Sequence, residues 1–165
     1  MTVTYEPKWK SYIATTTGPM FSPAQCRQVI EKGRSLKPQE ALVGAGIQGG
    51  KADTKKRVTT ISWIPFKDMP EMYQPKGGFY DWHMDSDTHF HHQPTVRKIS
   101  MTLLLSDPST FKGGDLEFMD KGKTIPNLQQ GQAVFFASFL RHRVQPVKKG
   151  VRHSLVMWFG GPPLK

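Results

Sequence analysis

Apolar positions along this chain follow two patterns, one helical near the N-terminus and one alternating over most of the remainder. Between Ser22 and Ser35, Cys26, Val29 and Ile30 recur at the three- and four-residue spacing of a single helix face, a narrow stripe suited to packing on the outside of a sheet. Ser22 stands at the cap, Pro23 at the first helical position and Gln25 three residues after Ser22, so the sequence predicts a capping-box start and a helix ending near Gly33 or Ser35. Val58 to Ile64 alternates instead, with Val58, Thr60 and Ser62 against Thr59, Ile61 and Trp63, which predicts a strand. From Phe79 onward, short β-prone runs are separated by turn chemistry at Asp107-Pro108-Ser109, Lys112-Gly113-Gly114, Lys121-Gly122-Lys123, Gln130-Gly131 and Lys148-Lys149-Gly150. Many short strands at such spacing predict a sandwich or barrel. Gly44 to Gly50 holds four glycines in seven positions and reads as a mobile loop ahead of the basic stretch Lys51 to Arg57. The chain has no internal repeat and no low-complexity segment.

A length of 165 residues predicts one domain, 1–165, long enough to bury roughly two-thirds of its unfolded surface. No apolar run approaches the ~18 residues that span a bilayer, and Met1-Thr2-Val3-Thr4-Tyr5 lacks a basic-then-apolar secretory pattern, so the expectation is a cytoplasmic protein without a membrane partner. The single cysteine, Cys26, excludes an intramolecular disulfide and sits on the predicted helix as a buried or partly buried thiol. The net charge of +10 is uneven: residues 1–60 and 111–165 each carry +6, and residues 61–110 carry −2. Such a surplus attracts anionic partners, which makes nucleic acid a candidate. It serves equally as a solubilising surface, since the basic residues are interspersed and lack an aromatic stacking set.

The chemistry-bearing residues fall in the less basic middle and the C-terminal part. On a strand running Phe79-Tyr80-Asp81-Trp82-His83-Met84-Asp85, alternation points His83 and Asp85 the same way, roughly 6–7 Å apart along the backbone. A His-x-Asp pair alone is also what ordinary half-buried residues produce. His142 opens a second alternating run, His142 to Val147, and two imidazoles with one carboxylate on one side of a cation form the facial arrangement of non-haem Fe(II) oxygenases. Val151 to Phe159 reads as a buried strand that carries Arg152 and Ser154 on one face. An arginine directed into a barrel needs an anion, because its desolvation costs several kcal/mol, and a bound dicarboxylate would supply one. His89, His91 and His92 lie in the polar loop Ser86 to Thr95, where solvated histidines are the ordinary reading, since no cysteine or second acidic cluster completes a metal site. Arg141 and Arg143 alternate with His142 and so point away from it, toward a basic outer surface.

These elements occur in a characteristic order: His83-x-Asp85, then Gly113-Gly114-Asp115-Leu116-Glu117-Phe118, the strand Gly131 to Phe136, His142 followed by Gln145-Pro146-Val147, then Arg152-x-Ser154 and Trp158. In this order the chain resembles the Fe(II)/2-oxoglutarate dioxygenases of the prolyl 4-hydroxylase superfamily, and most closely the PKHD-type hydroxylases of bacteria and phages, over about residues 57–162. The resemblance implies a mainly β fold with an N-terminal helix: helix and loops over 1–56, and a double-stranded β-helix core of jelly-roll or cupin-like form over 57–162. It implies that His83, Asp85 and His142 hold Fe(II), that Arg152 pairs with a carboxylate of 2-oxoglutarate assisted by Ser154, and that Tyr73 and Trp158 line the same pocket. Ordinary packing of an amphipathic ring is the alternative for the last two. Leu104 stands where some relatives place a co-substrate tyrosine, which shifts the anchoring toward Arg152. The stretch Phe66 to Met72 is shorter than the helical insert expected of this branch. By the same resemblance, the enzyme hydroxylates a prolyl or other residue of a protein or peptide using O2, with release of succinate and CO2 and with ascorbate (vitamin C) as accessory. Nucleic-acid oxygenases share the chemistry but carry a second arginine where Trp158 stands. A small-molecule or amino-acid hydroxylase, or a non-catalytic metal-binding jelly roll, remains open, although the last has no use for Arg152 and Ser154.

Overall fold

Ser22 opens the helix α1 (Pro23–Ser35) as the sequence predicts, in a computed structural model that describes residues 12–40, 57–62, 64, 72–86, 95–119 and 123–162. Its hydroxyl accepts from the Gln25 N–H at 3.3 Å and the Gln25 side chain accepts from the Ser22 N–H at 2.9 Å, so two of the orphan donors of the first turn are satisfied reciprocally. Cys26 and Val29 face inward from it and pack on Met101, Leu103, Leu105, Ala133 and Leu155, which places the helix on the outer face of a sheet. Cys26 is fully buried and unpaired, and burial pushes its thiol pKa up against the opposing charge of Arg27.

The strands are β1 (Ile13–Thr15), β2 (Gln39–Glu40), β3 (Arg57–Ser62), β4 (Met72–His83), β5 (Val96–Leu104), β6 (Lys112–Gly113), β7 (Leu116–Met119), β8 (Lys123–Thr124), β9 (Ala133–Ala137), β10 (His142–Val144), β11 (Val147–Lys149) and β12 (Ser154–Gly161). All described pairings are antiparallel, in the order β1-β9-β5-β12-β4-β10-β7-β8, with β2 and β3 on a branch from β4 and with β11 and β6 paired separately. The second half of β5, from Ser100 to Leu104, is buried on both faces, which is why that part of its run lacks a clean alternation. Met101 and Leu103 meet the helix, while Leu104 joins a second apolar cluster with Leu116, Phe118, Val134, Phe136 and Leu140. Each such side chain contributes roughly 1.5–3 kcal/mol on burial.

Three predicted strands have different limits. Val58 to Ile64 is realised as Arg57–Ser62. His142 to Val147 splits at Pro146, which has no N–H to offer, although the Gln145 N–H before it still donates to the Asp115 carbonyl at 2.9 Å in the register of β10 with β7. The run from Val151 becomes regular only at Ser154, since the Ser106 hydroxyl takes the His153 N–H at 2.8 Å. Readings that concern Gly44 to Gly50, Lys51 to Lys56, Phe66 to Glu71, Lys121-Gly122 and the histidines His89, His91 and His92 fall outside the described residues.

Candidate active site

His83 closes β4, His142 opens β10, and the two strands pair so that these residues lie directly opposite each other. Asp85 joins them by a route other than the predicted one. The strand ends at His83, and Asp85 lies beyond it, where its N–H and that of Ser86 donate to the Ser138 carbonyl at 2.9 and 3.0 Å. Convergence therefore comes from capture by Ser138 and not from strand alternation. One ligand atom from each of His83, Asp85 and His142 lies within 4.8 Å of the others.

Hydrogen bonding fixes the tautomers of both imidazoles. His83 Nδ1 lies 2.8 Å from the Asp81 carbonyl and His142 Nδ1 lies 2.9 Å from the Leu140 carbonyl. A carbonyl only accepts, so each Nδ1 carries a proton, and it is Nε2 that is left to bind a metal. Those Nε2 atoms stand 3.5 and 3.6 Å from the Asp85 oxygens. Burial, reinforced by His83, pushes His142 down to about 4, so near neutral pH it faces the carboxylate uncharged. Burial alone would raise the Asp85 pKa, but the His83 contact, the two imidazoles and the Ser100 hydroxyl hold it well below the usual carboxylate range. Lone pairs aimed at an ionised carboxylate repel unless a proton or a cation lies between them, and this donor set fits a divalent metal. The His142 ring is packed against Phe136 and Phe118, centroids at 4.6 and 5.9 Å, which restricts its orientation.

Arg152 is buried, and its guanidinium donates to Ser154 Oγ at 2.6 Å. Gly114 makes room for it. A Cβ there would stand 2.8 Å from Arg152 Cδ, and its φ of +71° already favours glycine. Ser154 pairs with buried Leu104, and Trp158 pairs with Ser100, whose hydroxyl reaches Asp85. Ser154 and Trp158 thus share one face of β12, whose Trp158 position lies beside Ser100 and Asp85, and Arg152, which precedes the strand, is tied to that face through Ser154. Trp158 Nε1 is buried without a hydrogen-bond partner, a donor that a bound oxygen-rich group would satisfy. Arg97 covers the Trp158 ring, its Cζ 3.7 Å from the ring centroid. Tyr73 is placed on β4 by its pairing with Ile61, and its side chain lies outside the described residues.

On the outer side of the same strands, Arg143 does point away from the cluster, as alternation predicts, but not into a free basic surface. Its Nε donates to Glu117 at 2.6 Å, and its guanidinium covers Trp82 at 4.8 Å. Lys123 and the Gln145 amide also bond Glu117, a side chain with no solvent exposure. Sequence reading missed Glu117, Ser100 and Ser138 as partners. The available signal was a lone hydroxyl, Ser138, in an otherwise apolar run, and polar residues at Ser100 and Glu117 flanked directly by apolar ones.

Comparison with known proteins agrees with this geometry. The family model described as the 2OG-Fe(II) oxygenase superfamily matches residues 69–160, more than half of the chain, and the chain belongs to that superfamily. It is 31% identical over 101 residues to the PKHD-type hydroxylase PiuC of Pseudomonas aeruginosa, covering 58% of this chain and 45% of that protein. To a PKHD-type hydroxylase of Synechococcus sp. strain CC9902 it is 39% identical over 83 residues, covering 50% of this chain and 36% of the relative. The chain thus spans less than half the length of these curated relatives. In fold it is similar to a prolyl-4-hydroxylase of Pseudomonas putida, with a TM-score of 0.64 and 19% identity over 92% of this chain and 94% of the other. It is also similar to a prolyl hydroxylase of Trichoplax adhaerens in complex with a hypoxia inducible factor peptide fragment, with a TM-score of 0.70 and 12% identity over 90% and 83% of the two chains. No helix among the described residues is long and apolar enough to cross a membrane.

Proposed function

We propose that this chain forms a single double-stranded β-helix domain acting as an Fe(II)- and 2-oxoglutarate-dependent dioxygenase that hydroxylates a protein or peptide at a prolyl-type position. The observation that carries this reading is that both imidazoles, their Nδ1 atoms bonded to backbone carbonyls, turn Nε2 toward the Asp85 carboxylate at 3.5 and 3.6 Å, an arrangement that a divalent cation resolves. His83, Asp85 and His142 would hold the metal and leave the opposite positions open. Iron with 2-oxoglutarate supplies the oxidising chemistry that places a hydroxyl from O2 on substrate as succinate and CO2 are released. Arg152, kept in place by Ser154, offers the planar fork that matches a carboxylate and so orients the co-substrate. Trp158 and Tyr73 complete the pocket wall in this reading, and ascorbate acts as accessory reductant. The peptide preference follows the Trichoplax neighbour, which is in complex with a peptide fragment.

The test combines anaerobic 2-oxoglutarate titration of the Fe(II)-loaded protein with succinate production over panels of proline-containing peptides, oligonucleotides and free amino acids. Arg152→Gln should weaken 2-oxoglutarate by roughly 10- to 150-fold, equivalent to one or two charge-assisted bonds, while iron still binds. Unchanged co-substrate affinity in Arg152→Gln would place the anchor elsewhere. Succinate release stimulated by oligonucleotides or amino acids, and not by peptides, would overturn the substrate class.

A further inference from the structure

Two hydroxyls beside Asp85 are fully buried, and the superfamily's metal chemistry does not by itself require either. Ser100 on β5 and Ser138 just after β9 each have no solvent exposure. A buried hydroxyl must find partners to offset its desolvation. Ser100 Oγ lies 2.6 Å from Asp85 Oδ2 and 2.9 Å from Ser138 Oγ. An ionised carboxylate only accepts, so Ser100 donates its single proton to Oδ2. With that proton committed, the contact between the serines must be donated by Ser138. Distance alone leaves that direction open, and proton counting closes it.

We propose that Ser138 and Ser100 form a directed hydroxyl chain that orients Asp85 to bind metal through Oδ1 alone, which makes both serines positioning residues. The inference rests on the reading of His83, Asp85 and His142 as metal ligands. Ser138 grips Asp85 at two points. Its carbonyl takes the Asp85 N–H, and its hydroxyl, acting through Ser100, fixes the carboxylate. Ser138 is itself held to β5, since its N–H donates to the Lys98 carbonyl at 3.0 Å. The short charge-assisted bond occupies Oδ2, the oxygen 3.6 Å from His142 Nε2, and lowers its donor strength, while Oδ1, 3.5 Å from His83 Nε2, accepts no hydrogen bond from a hydroxyl or amide among the described residues. A carboxylate confined to one oxygen takes one coordination position where two oxygens would take two. The chain thereby preserves a site for the co-substrate and O2.

Co(II), whose visible absorption reports coordination number, is the probe, titrated into the 165-residue chain and into Ser100→Ala, Ser100→Cys and Ser138→Ala. Thermal unfolding without metal is followed in parallel. Ser100→Ala should lose roughly 10- to 100-fold in Co(II) affinity and change the visible band, as for other losses of an outer partner of a ligand. Ser100→Cys, which nearly keeps the volume but donates weakly, should behave like Ser100→Ala, and Ser138→Ala should shift both readouts in the same direction by less. Ser138→Ala removes a group that does not touch Asp85 Oδ2, so it decides the matter should the Ser100 variants fail to fold. Parent affinity and an unchanged band in the folded variants would overturn the inference and leave the metal reading intact. The same holds for an affinity loss that only tracks a lower melting temperature with no spectral change. If the parent itself bound no Co(II), the metal reading would fail, and this inference with it.

Discussion

The two faces of β10 carry two acidic clusters with opposite electrostatics. On the outer face, Glu117 is surrounded by groups that donate to it, Arg143, Lys123 and Gln145. On the inner face, Asp85 meets imidazole nitrogens whose protons are committed elsewhere, to the carbonyls of Asp81 and Leu140. Both carboxylates are largely removed from water, yet among the described residues only the outer one is met by lysine and arginine. The difference separates a structural ion cluster from a metal site more sharply than burial or charge count does. A carboxylate saturated by side-chain cations is complete, and one facing the Nε2 atoms of two carbonyl-bound imidazoles has room for a cation from outside.

The contrast breaks most visibly at the ligands. Asp85→Ala and His83→Ala should each abolish Fe(II) binding at micromolar metal while far-ultraviolet circular dichroism stays at the parent level. Stoichiometric iron retained by either variant would dissolve the distinction between the faces. Glu117→Ala should do the reverse. Loss of the acceptor for Arg143, Lys123 and Gln145 is expected to destabilise the fold by about 2–3 kcal/mol in urea unfolding, below the range for wholly buried pairs because Arg143 and Lys123 are partly exposed. Iron stoichiometry should survive below the transition.

A smaller effect comes from His153, which lies away from both clusters. Burial, followed by the charge of Arg34, pushes it down to about 4, against an ordinary imidazole value of 6.5. Its folded-state pKa lies below the unfolded one, so the unfolded chain takes up the proton first. The His153 contribution is therefore complete above the unfolded value and is lost as pH falls toward the folded one. His153→Gln should flatten the stability loss between pH 7 and pH 4.5 by on the order of 1–3 kcal/mol, measured by urea unfolding of metal-free protein. An unchanged acid slope would mean that His153 does not titrate in this window. Smallest is Ser22→Ala, which removes the cap of α1 at about 1 kcal/mol. Because α1 touches neither cluster, its melting temperature should drop with metal affinity unaltered, so it controls for general destabilisation.

Local chemistry was legible in the chain from the outset. The capping box at Ser22 needs only a hydroxyl, a proline and an amide at fixed offsets, and α1 begins where they stand. The stripe of Cys26 and Val29 specified the face that meets the sheet. His83, Asp85 and His142 could be singled out because imidazoles and a carboxylate in that order resemble a known ligand set, and the fold does bring them together. The reason given for Asp85 was nonetheless incomplete. Alternation ends with the strand at His83, and what carries Asp85 into the cluster is the carbonyl of Ser138, more than fifty residues further along the chain. Likewise Gly113-Gly114 was visible as a turn, whereas the need for Gly114 arises from Arg152 crossing beneath it.

The sequence by itself determined which residues are capable of the chemistry, because residue type and short-range spacing set helix caps, strand alternation and ligand identity. Only the tertiary structure decided which nitrogen of each histidine is free, which oxygen of Asp85 is already engaged, and that Glu117 faces its own cations on the outer side. Those outcomes depend on hydrogen bonds between residues far apart in the chain, and such partners are chosen when strands pair in space and not by any pattern along one strand.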